Sequence, residues 1–549
     1  DTVFDAPPIT VPVADLRGWL VTLLTGSPTM LSQGNLLIPL IDNSIAWEEL
    51  TKTIKAAQVS INSAQLYLDV GKVFTVFVPT NPEASPPLVT HGERFEDEII
   101  KANFARGIPV RLIMNDFMGE PYPIDSAGVV EDYIKHGTVL TPNTVEIRRF
   151  RMPYNRAMHA KFTIIDGEIA IMNASPILQE YFDDTTHFVD DPRRGSMSFP
   201  KNSIKIPVHD VSCSIQGPAL EHLEEIFALL WWKTGGTEVG VTSPIPPTAT
   251  NTSVQIVRTL PGGTFFSSPF DVPKGELGIL EAYQRAIAEA KDYIYLENQY
   301  FTEPLIARAL LAALRDGSRP ELRVIILVNN VVDIPGYQGL QTRLIGQLLN
   351  DAEKHGVRDR LGVFTRWTHD AKSSPQRIIR NYIHSKVGIV DNKWATIGSA
   401  NLDGVSLHVS QHIAFFYSTS DMLEERAVEL NTVLYNGVDG QPFTTVPDEL
   451  RRDLWAEHLG VDRDDSLIKA STMGSNNGAN WLNLWNTKAE EKAKGLSKSP
   501  LTHEQASILK WLAIKDPEKY LAILGVKESK DLKIETEIRD FDFKTGKWA

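Results

Sequence analysis

Two copies of one pattern of histidine, lysine and aspartate are the residues in this chain best suited to chemistry. The copies stand in HAKFTIID and HSKVGIVD with identical spacing, and they comprise His159, Lys161 and Asp166, and His384, Lys386 and Asp391. Side chains two residues apart on a strand point to the same face. Each copy therefore offers an imidazole that can attack or carry a proton beside a fixed cation. Each aspartate lies five residues beyond its lysine and faces away, so we expect it to brace the seam and hold the turn.

The elements around the motifs repeat in one order, which predicts two similar halves. In the first half, helical periodicity in WEELTKTIKAA and RFEDEIIKANFARG alternates with short β-rich runs in SINSAQLYLDV and PVRLIMND. In the second half, LGILEAYQRAIAEAK and PLIARALLAALRDG alternate in the same way with DYIYLENQYF and LRVIILVNN. This alternation predicts an α/β fold with a largely parallel-connected sheet, here two sandwich halves related by a pseudo-twofold axis. We expect their seam to bring one histidine from each half into one site.

Composition shifts divide the chain into three predicted parts. A stretch rich in Pro, Thr and Ser at 242–255 reads as a linker, so the two halves are assigned to residues 1–245 and 246–450. Residues 451–549 are predicted to form a tail of charged helices, including LTHEQASILKWLAIKDPEKYLAILG, that packs on the halves without joining the chemistry. Trp481 and Trp485 are expected to dock this tail onto the second half.

Charge and composition limit the classes of partner. The net charge of −14 gives no general attraction for nucleic acid or for an anionic membrane surface. The single cysteine, Cys213, excludes an intrachain disulfide framework and any cysteine-based zinc site. No apolar run is long enough to predict a transmembrane segment. The chain begins at Asp1 without methionine, which fits a processed export product or a trimmed chain; we expect a soluble, secreted protein and leave its compartment open.

Four segments resemble the phospholipase D superfamily, and within it the phospholipase D enzymes. The second motif matches through HSKVGIVDNKWATIGSANLD, which includes Gly398, Ser399 and Asn401. The other segments are VHDVSCSIQGPA at 208–219, YIYLENQYF at 293–301 and LRRDLWAEHLG at 450–460. The resemblance implies the two-halved α/β sandwich of that family.

The first motif departs from the family pattern. Where the family usually has a glycine-containing pair followed by asparagine, this chain has Asn173, Ala174, Ser175 and Pro176. Asn173 or Ser175 is expected to take the place of the missing phosphate donor. The NAS triplet also reads as a glycosylation sequon, which is the poorer interpretation in this context. The sequence therefore predicts an asymmetric site.

The resemblance also implies a role for each histidine. His159 would attack phosphorus and form a phosphohistidine, while His384 would protonate the departing alcohol and then activate water or a second alcohol. Lys161, Lys386 and Asn401 would hold the nonbridging phosphoryl oxygens, with Ser399 as a secondary donor. This set needs no metal or cofactor.

A carboxylate is expected to fix the tautomer of the attacking imidazole. Asp210 matches the family position for this partner of His159. The corresponding position for His384 is assigned to His412, which would leave His384 without a carboxylate and with a lowered pKa. Glu297, which is also a candidate substrate-binding residue, is the alternative partner for His384.

The predicted substrate is a glycerophospholipid such as phosphatidylcholine, presented on a membrane or micelle surface to a monomeric enzyme. Two loops that follow inner strands, NDFMGEPYPID and NNVVDIPGYQG, either pack on their own scaffold or grip lipid. LPGGTFFSSPF is a further candidate interfacial loop. The alternatives are a superfamily phosphodiesterase that cuts nucleic acid, a cardiolipin-synthase-like transferase, and a lipid-phosphate-binding protein with a weakened site. The acidic charge argues against the nuclease, and calcium dependence is not implied.

Overall fold

The computed structural model describes most of the chain. The described residues are 16–23, 28–71, 73–81, 88–118, 126–138, 145–153, 156–195, 206–237, 239, 250–262, 275–334, 336–408, 426–470, 477–497, 507–535, 541–542 and 547–548.

The first half alternates strands and helices up to a long amphipathic helix. Its strands are β1 Leu31–Ile41, β2 Ile61–Gln65, β3 Val76–Asn81, β4 Leu88–Glu93, β5 Val110–Met118, β6 Glu146–Pro153, β7 Phe162–Ile165, β8 Ile169–Met172, β9 Val208–His209 and β10 Val211–Gln216. Its helices are α1 Asn43–Ala56, α2 Phe95–Arg106, α3 Ser126–Thr138 and α4 Ala219–Lys233, with a 3-10 turn at Gln179–Tyr181.

The second half follows the same plan. Its strands are β11 Thr252–Leu260, β12 Glu276–Leu277, β13 Tyr293–Asn298, β14 Arg323–Val328, β15 Leu361–Asp370, β16 Gln376–Arg380, β17 Tyr382–Ile383, β18 Lys386–Val390, β19 Trp394–Gly398 and β20 Glu429–Tyr435. Its helices are α5 Gly278–Glu289, α6 Pro304–Arg315, α7 Tyr337–Lys354 and α8 Gly404–Leu407, with a 3-10 turn at Arg358–Arg360.

The C-terminal part contains both helices and strands. These are α9 Val446–Leu459, α10 Asn477–Leu496, α11 Pro517–Ile523, β21 Ser507–Lys510, β22 Leu532–Ile534, β23 Phe541–Asp542 and β24 Lys547–Trp548.

The two halves have matching sheets, which confirms the predicted α/β class. The first sheet runs β6-β5-β2-β7-β8-β10-β1, and β2, β5 and β6 are parallel. The second runs β15-β14-β13-β18-β19-β20-β11, with β13, β14 and β15 parallel in the corresponding places. Strand β1 also pairs with β11, so the two sheets are joined edge to edge at the seam.

Apolar packing divides the molecule into layers. One core lies between the first sheet and its outer helices, with Trp47, Ile99 and Leu112 as members. A second lies between the second sheet and α5, α6 and α7. The third lies between the halves and includes Phe162 and Val387 together with residues of α4, α9 and α10. Strands between two such cores are buried on both faces, which explains the continuous apolar runs of the inner strands.

Two sequence-based boundaries need correction. The predicted linker at 242–255 ends too late, because Thr252 already begins β11 and pairs with Asn35 of β1. The tail is not purely helical: β21 pairs antiparallel with β15, and β22 pairs parallel with β16. Free edges of a sheet can recruit a distant segment through backbone hydrogen bonds alone, which helical periodicity does not reveal. Within the described residues, no helix combines the length and apolar character that a membrane crossing requires.

Candidate active site

Each histidine is positioned by a short strand pairing with the other half of the molecule. Met158 bridges Val428, and the backbone N–H of His159 donates to the Val428 carbonyl at 2.9 Å. On the other side, β17 pairs with β9, and the N–H of His384 donates to the His209 carbonyl at 2.8 Å. The residue after each of these carbonyls is an acid. The two arrangements are therefore related by the pseudo-twofold symmetry of the fold.

The acids hold the histidines crosswise. Nδ1 of His159 lies 3.0 Å from Oε2 of Glu429, in the second half. Nδ1 of His384 lies 2.9 Å from Oδ2 of Asp210, in the first half. With Nδ1–H directed at a carboxylate, Nε2 of each neutral ring keeps its lone pair. The arrangement thus prepares both outer nitrogens for attack on an electrophile or for proton transfer.

The predicted pairing of Asp210 with His159 was wrong, and Glu429 was missed. Register identifies Glu429 as the counterpart of Asp210: Met172 pairs with Cys213 in the first sheet, and Ile397 pairs with Thr432 in the second. His412, which the sequence assigned to this position, lies outside the described residues. The available signal was the parallel between HDVSCSI and VELNTVL, in which Asp210 immediately precedes β10 and Glu429 is the first residue of β20.

The two lysines are buried beside the histidines. Nζ of Lys161 donates to the His159 carbonyl. Nζ of Lys386 donates to Oε1 of Gln299 at 3.0 Å and lies 3.2 Å from Nδ1 of His384. Burial lowers the pKa of Lys161 to about 7, with the charge of Lys386 acting in the same direction, and burial lowers the pKa of Lys386 to about 8. An anion entering here would meet poorly hydrated cations, which bind it more strongly than exposed lysines do.

Both histidines are pushed toward the neutral form. Burial and then Lys386 lower the pKa of His384 to about 4, although Asp210 opposes the shift. Burial also lowers the pKa of His159, against the opposing charge of Glu429. The sequence expected a lowered pKa for His384 because a carboxylate was thought to be absent. The structure gives another cause, since the carboxylate is present but outweighed.

The serines of the two motifs support the carboxylates. Ser175 donates to Oδ2 of Asp210 and lies 3.2 Å from Nδ1 of His384. Ser399 donates to Oε2 of Glu429 at 2.6 Å. Sequence reasoning had given both hydroxyls to the phosphate. Each instead helps to orient the acid that holds a histidine of the opposite half.

Two asparagine side chains remain available to a ligand. The carboxamide of Asn173 is buried and has no hydrogen-bond partner among the described residues, while its backbone N–H donates to the Lys161 carbonyl at 2.9 Å. Oδ1 of Asn401 is buried and likewise unpartnered within the described structure. Buried amide groups normally find partners, so these two are candidates for contact with a substrate.

The motif aspartates hold backbone instead of joining the histidines. Asp166 accepts hydrogen bonds from the N–H groups of residues 58, 59 and 60 at 2.7–2.9 Å, immediately before β2. Asp391 accepts from residues 291, 292 and 293 at 2.7–2.9 Å at the start of β13. Both have a positive φ, 57° and 52°. They secure a turn against a strand within their own half, so the expected bracing of the seam was wrong.

Glu297 belongs to a buried polar cluster behind the site. Its oxygens lie 2.7 Å from Nε2 of His209 and 2.8 Å from Nε2 of His458, and Tyr295 and Ser385 donate to it. It is fully buried, and its hydrogen bonds and ion pairs within the described structure are with these residues and not with His384. His458 comes from α9, so the predicted appendage contributes to the surroundings of the site.

The loops suggested for lipid contact are only partly described. In NNVVDIPGYQG, Val331, Val332 and Tyr337 are buried, and the Tyr337 hydroxyl donates to Asp403 at 3.1 Å. Ile334 is 38% exposed. Most of NDFMGEPYPID and of LPGGTFFSSPF lies outside the described residues.

Comparisons with known proteins find a PLD-like family model and phospholipase D relatives. A family model described as "Cardiolipin synthase, PLD-like domain" matches residues 283–433. The chain is similar to phospholipase D alpha 2 of Arabidopsis thaliana, at 22% identity over 474 residues that cover 70% of this chain and 55% of that protein. It is similar to phospholipase D alpha 1 of Zea mays, at 24% identity over 540 residues that cover 76% and 64%. The chain therefore spans between about half and two thirds of the length of these relatives.

The fold is also similar to that of a solved structure. A phosphatidylserine synthase of Haemophilus influenzae Rd KW20 aligns with a TM-score of 0.46 at 12% identity, over 73% of this chain and 82% of that one.

Proposed function

Because the chain belongs to the phospholipase D superfamily, we propose that it is a phospholipase D that cleaves the headgroup-side phosphodiester of glycerophospholipids such as phosphatidylcholine. The products are phosphatidate and the free headgroup alcohol. When an alcohol replaces water, the same enzyme transfers the phosphatidyl group. The observation that carries the proposal is the crosswise pairing of His159 with Glu429 and of His384 with Asp210.

In the first step, Nε2 of His159 attacks phosphorus. The new P–N bond forms as the bond from phosphorus to the headgroup oxygen breaks, and His384 gives its Nε2 proton to that oxygen. Both rings have a carboxylate on Nδ1, so exposure is what supports His159 as the nucleophile: its side chain is 17% exposed against 4% for His384.

In the second step, water or an alcohol attacks the phosphohistidine. His384 takes the proton of the attacking hydroxyl, and the P–N bond breaks to regenerate His159. Burial and then Lys386 lower the pKa of His384, and the diester's negative charge acts in the opposite direction. The proposed first step uses this ring protonated on both nitrogens. Lys161, Lys386, Asn173 and Asn401 contact the nonbridging oxygens, where charge accumulates in the transition state.

The site needs no cysteine or cofactor for this chemistry. The lipid substrate is presented on the surface of a membrane or micelle. A nuclease remains the alternative within the superfamily. The net charge of −14 disfavours it, because nucleic-acid binding depends on neutralising many phosphates with lysine and arginine.

The experiment compares three substrate classes under identical conditions. Choline release and 1-butanol exchange are measured on phosphatidylcholine mixed micelles, beside single-stranded DNA and bis(p-nitrophenyl) phosphate. We expect lipid turnover and butanol exchange in the native chain, loss of both in His159→Asn and His384→Asn, and retention in His222→Gln, a histidine on α4 remote in sequence from both motifs. Cleavage of DNA without lipid turnover would overturn the proposal, and failure with every substrate would favour a binding protein.

A further inference from the structure

Behind the catalytic pair, four buried side chains from distant parts of the sequence converge on one point. They are Asp42 at the start of α1, His187 in the segment after the 3-10 turn, His209 in β9 and Glu457 in α9. Asp42, His187 and His209 are at most 1% exposed, and the Glu457 side chain is 9% exposed. One ligand-type atom from each lies within 4.8 Å of all the others.

Four contacts within this cluster are close to the ligand–ligand distances of a small coordination sphere, with the two histidines nearest to different oxygens of Asp42. Nε2 of His187 lies 2.9 Å from Oε1 of Glu457 and 3.4 Å from Oδ2 of Asp42. Nδ1 of His209 lies 3.0 Å from Oε1 of Glu457 and 3.1 Å from Oδ1 of Asp42. A tetrahedral zinc ion with bonds of roughly 2.0–2.1 Å separates its ligand atoms by about 3.3–3.4 Å. Only a few tenths of an ångström of expansion would admit the ion.

The outer atoms of the two histidines are already arranged as metal ligands require. Nδ1 of His187 lies 3.1 Å from Asp183, which also accepts from Arg194 at 3.0 Å. Nε2 of His209 lies 2.7 Å from Glu297. A carboxylate on the far nitrogen fixes the tautomer and directs the lone pair of the near nitrogen at the metal. In both rings, the near nitrogen is the one that points at the shared centre.

Some atoms at the centre lack hydrogen bonds. Nε2 of His209 lies 2.7 Å from Glu297 but makes no hydrogen bond within the described structure. Oδ2 of Asp42 and Nδ1 of His209 are also buried and make none there. Oδ1 of Asp42 accepts from the N–H of Asp210 at 3.2 Å, which leaves Oδ2 free to bind a cation. Buried polar atoms without partners are costly, and a bound ion would satisfy Oδ2 of Asp42 and Nδ1 of His209.

A divalent cation and a proton on each of the two histidines are alternative ways to balance the charge of the cluster. With neutral imidazoles, the described cluster has four carboxylates: Asp42, Asp183, Glu297 and Glu457. Against these stand two guanidinium groups, Arg194 on Asp183 and Arg366 on Glu457 at 2.6 Å. One divalent ion would cancel the remaining two negative charges. Arg366 does not block it, because a carboxylate oxygen can accept one hydrogen bond and donate a second lone pair to a metal.

We propose that this cluster binds one zinc ion through Nε2 of His187, Nδ1 of His209 and one carboxylate oxygen each of Asp42 and Glu457. Because all four positions are filled by the protein and the centre is buried, the ion is structural. It ties α9 to the first half. It also fixes the residue before Asp210, and therefore the carboxylate that orients His384.

The test measures metal in the full chain, without reference to activity. Protein without an affinity tag is expressed with added zinc, passed through gel filtration and analysed by mass spectrometry of its metal content. We expect about one zinc per chain. His187→Gln and His209→Asn should each lower this at least tenfold, while His222→Gln, which removes a histidine of α4 outside the cluster, retains the full amount. Asp183→Asn should weaken zinc affinity about 10–100-fold through His187.

If a ligand variant fails to fold, the native protein gives the decisive result. It is expressed without added zinc, stripped with a chelator and titrated with zinc alone, and zinc uptake is measured. Saturable uptake of one equivalent, with a rise in thermal stability, supports the site. Less than about a tenth of an equivalent in supplemented native protein, together with no uptake on titration, overturns it. In that case protons on the two histidines balance the charge.

Discussion

Two carboxylates in equivalent places act on different histidines, so their removal should affect different steps. In phosphatidyl p-nitrophenol the leaving group departs as p-nitrophenolate and needs no proton. In the proposed mechanism the first step on this substrate therefore depends on His159 and Glu429 and not on His384. Glu429→Gln should therefore suppress the initial burst of p-nitrophenol. Asp210→Asn should retain the burst and slow the steady-state rate by about 10²–10⁴-fold, because the proposed second step uses His384 as the base. Rapid-quench kinetics distinguish the two.

A variant of Ser406, a serine that contacts Glu429, provides the control for this prediction. Ser406 donates to Oε1 of Glu429 at 2.8 Å without contacting either histidine, so Ser406→Ala should weaken the burst far less than Glu429→Gln. If both carboxylate variants abolished the burst equally, the division of roles between the histidines would be wrong.

The buried lysines predict how anion binding depends on pH. Their pKa values are lowered to about 7 for Lys161 and about 8 for Lys386, so both are charged below pH 7 and lose charge as the pH rises. Affinity for dimethyl phosphate, whose own charge is constant, should fall as the pH passes through these values. In the Lys161→Arg variant the side chain at this position stays charged. The affinity of this variant for dimethyl phosphate should therefore begin to fall about one pH unit higher than in the native chain, near the pKa of Lys386.

Calorimetric titration across this range measures the effect. Lys52, whose side chain is 73% exposed, supplies the control substitution Lys52→Arg, which should leave the profile unchanged. An identical profile in the native chain and Lys161→Arg would remove Lys161 from the anion site.

At the scale of elements, Asp391 joins a turn to the first residues of β13. Asp391→Ala removes the acceptor of three backbone N–H groups, and it should lower the free energy of unfolding by roughly 1–3 kcal/mol. Asp391→Asn keeps one acceptor oxygen and tolerates the positive φ, so it should lose less. Urea unfolding measures the difference. A normal unfolding curve with abolished turnover would instead make Asp391 a catalytic residue.

Elements with strong local patterns were predictable, and elements decided by tertiary contact were not. The helices α5 and α6 and the apolar strands β13 and β14 follow directly from periodicity. SILK in the tail reads as part of a helix, yet it forms β21 because the edge of β15 offers backbone partners. The histidine–lysine pairs were visible as a repeat. Glu429 was harder to find, because its distance from the motif differs from that of Asp210 and the parallel between HDVSCSI and VELNTVL is weak until strand register aligns the two segments.

At the scale of the molecule, each half completes the site of the other. His159 depends on a carboxylate of the second half, and His384 depends on one of the first. Strands β1 and β11 join the sheets at the seam, and α9 packs in the core between the halves. Neither half therefore contains an oriented histidine by itself, and the proposed activity depends on both halves.

The aromatic cluster of the C-terminal part should contribute strongly to the stability of that interface. Trp485 is fully buried, with ring centroids 5.5 Å from Trp455 and 5.6 Å from Tyr295. Trp485→Ala should lower the free energy of unfolding by about 3–5 kcal/mol, through lost burial and the cavity it leaves. Trp232→Ala is the matched control, because Trp232 is 37% exposed on α4, and its loss should cost well under half as much. Urea unfolding followed by circular dichroism compares the two, and equal losses would show that α10 only covers the surface.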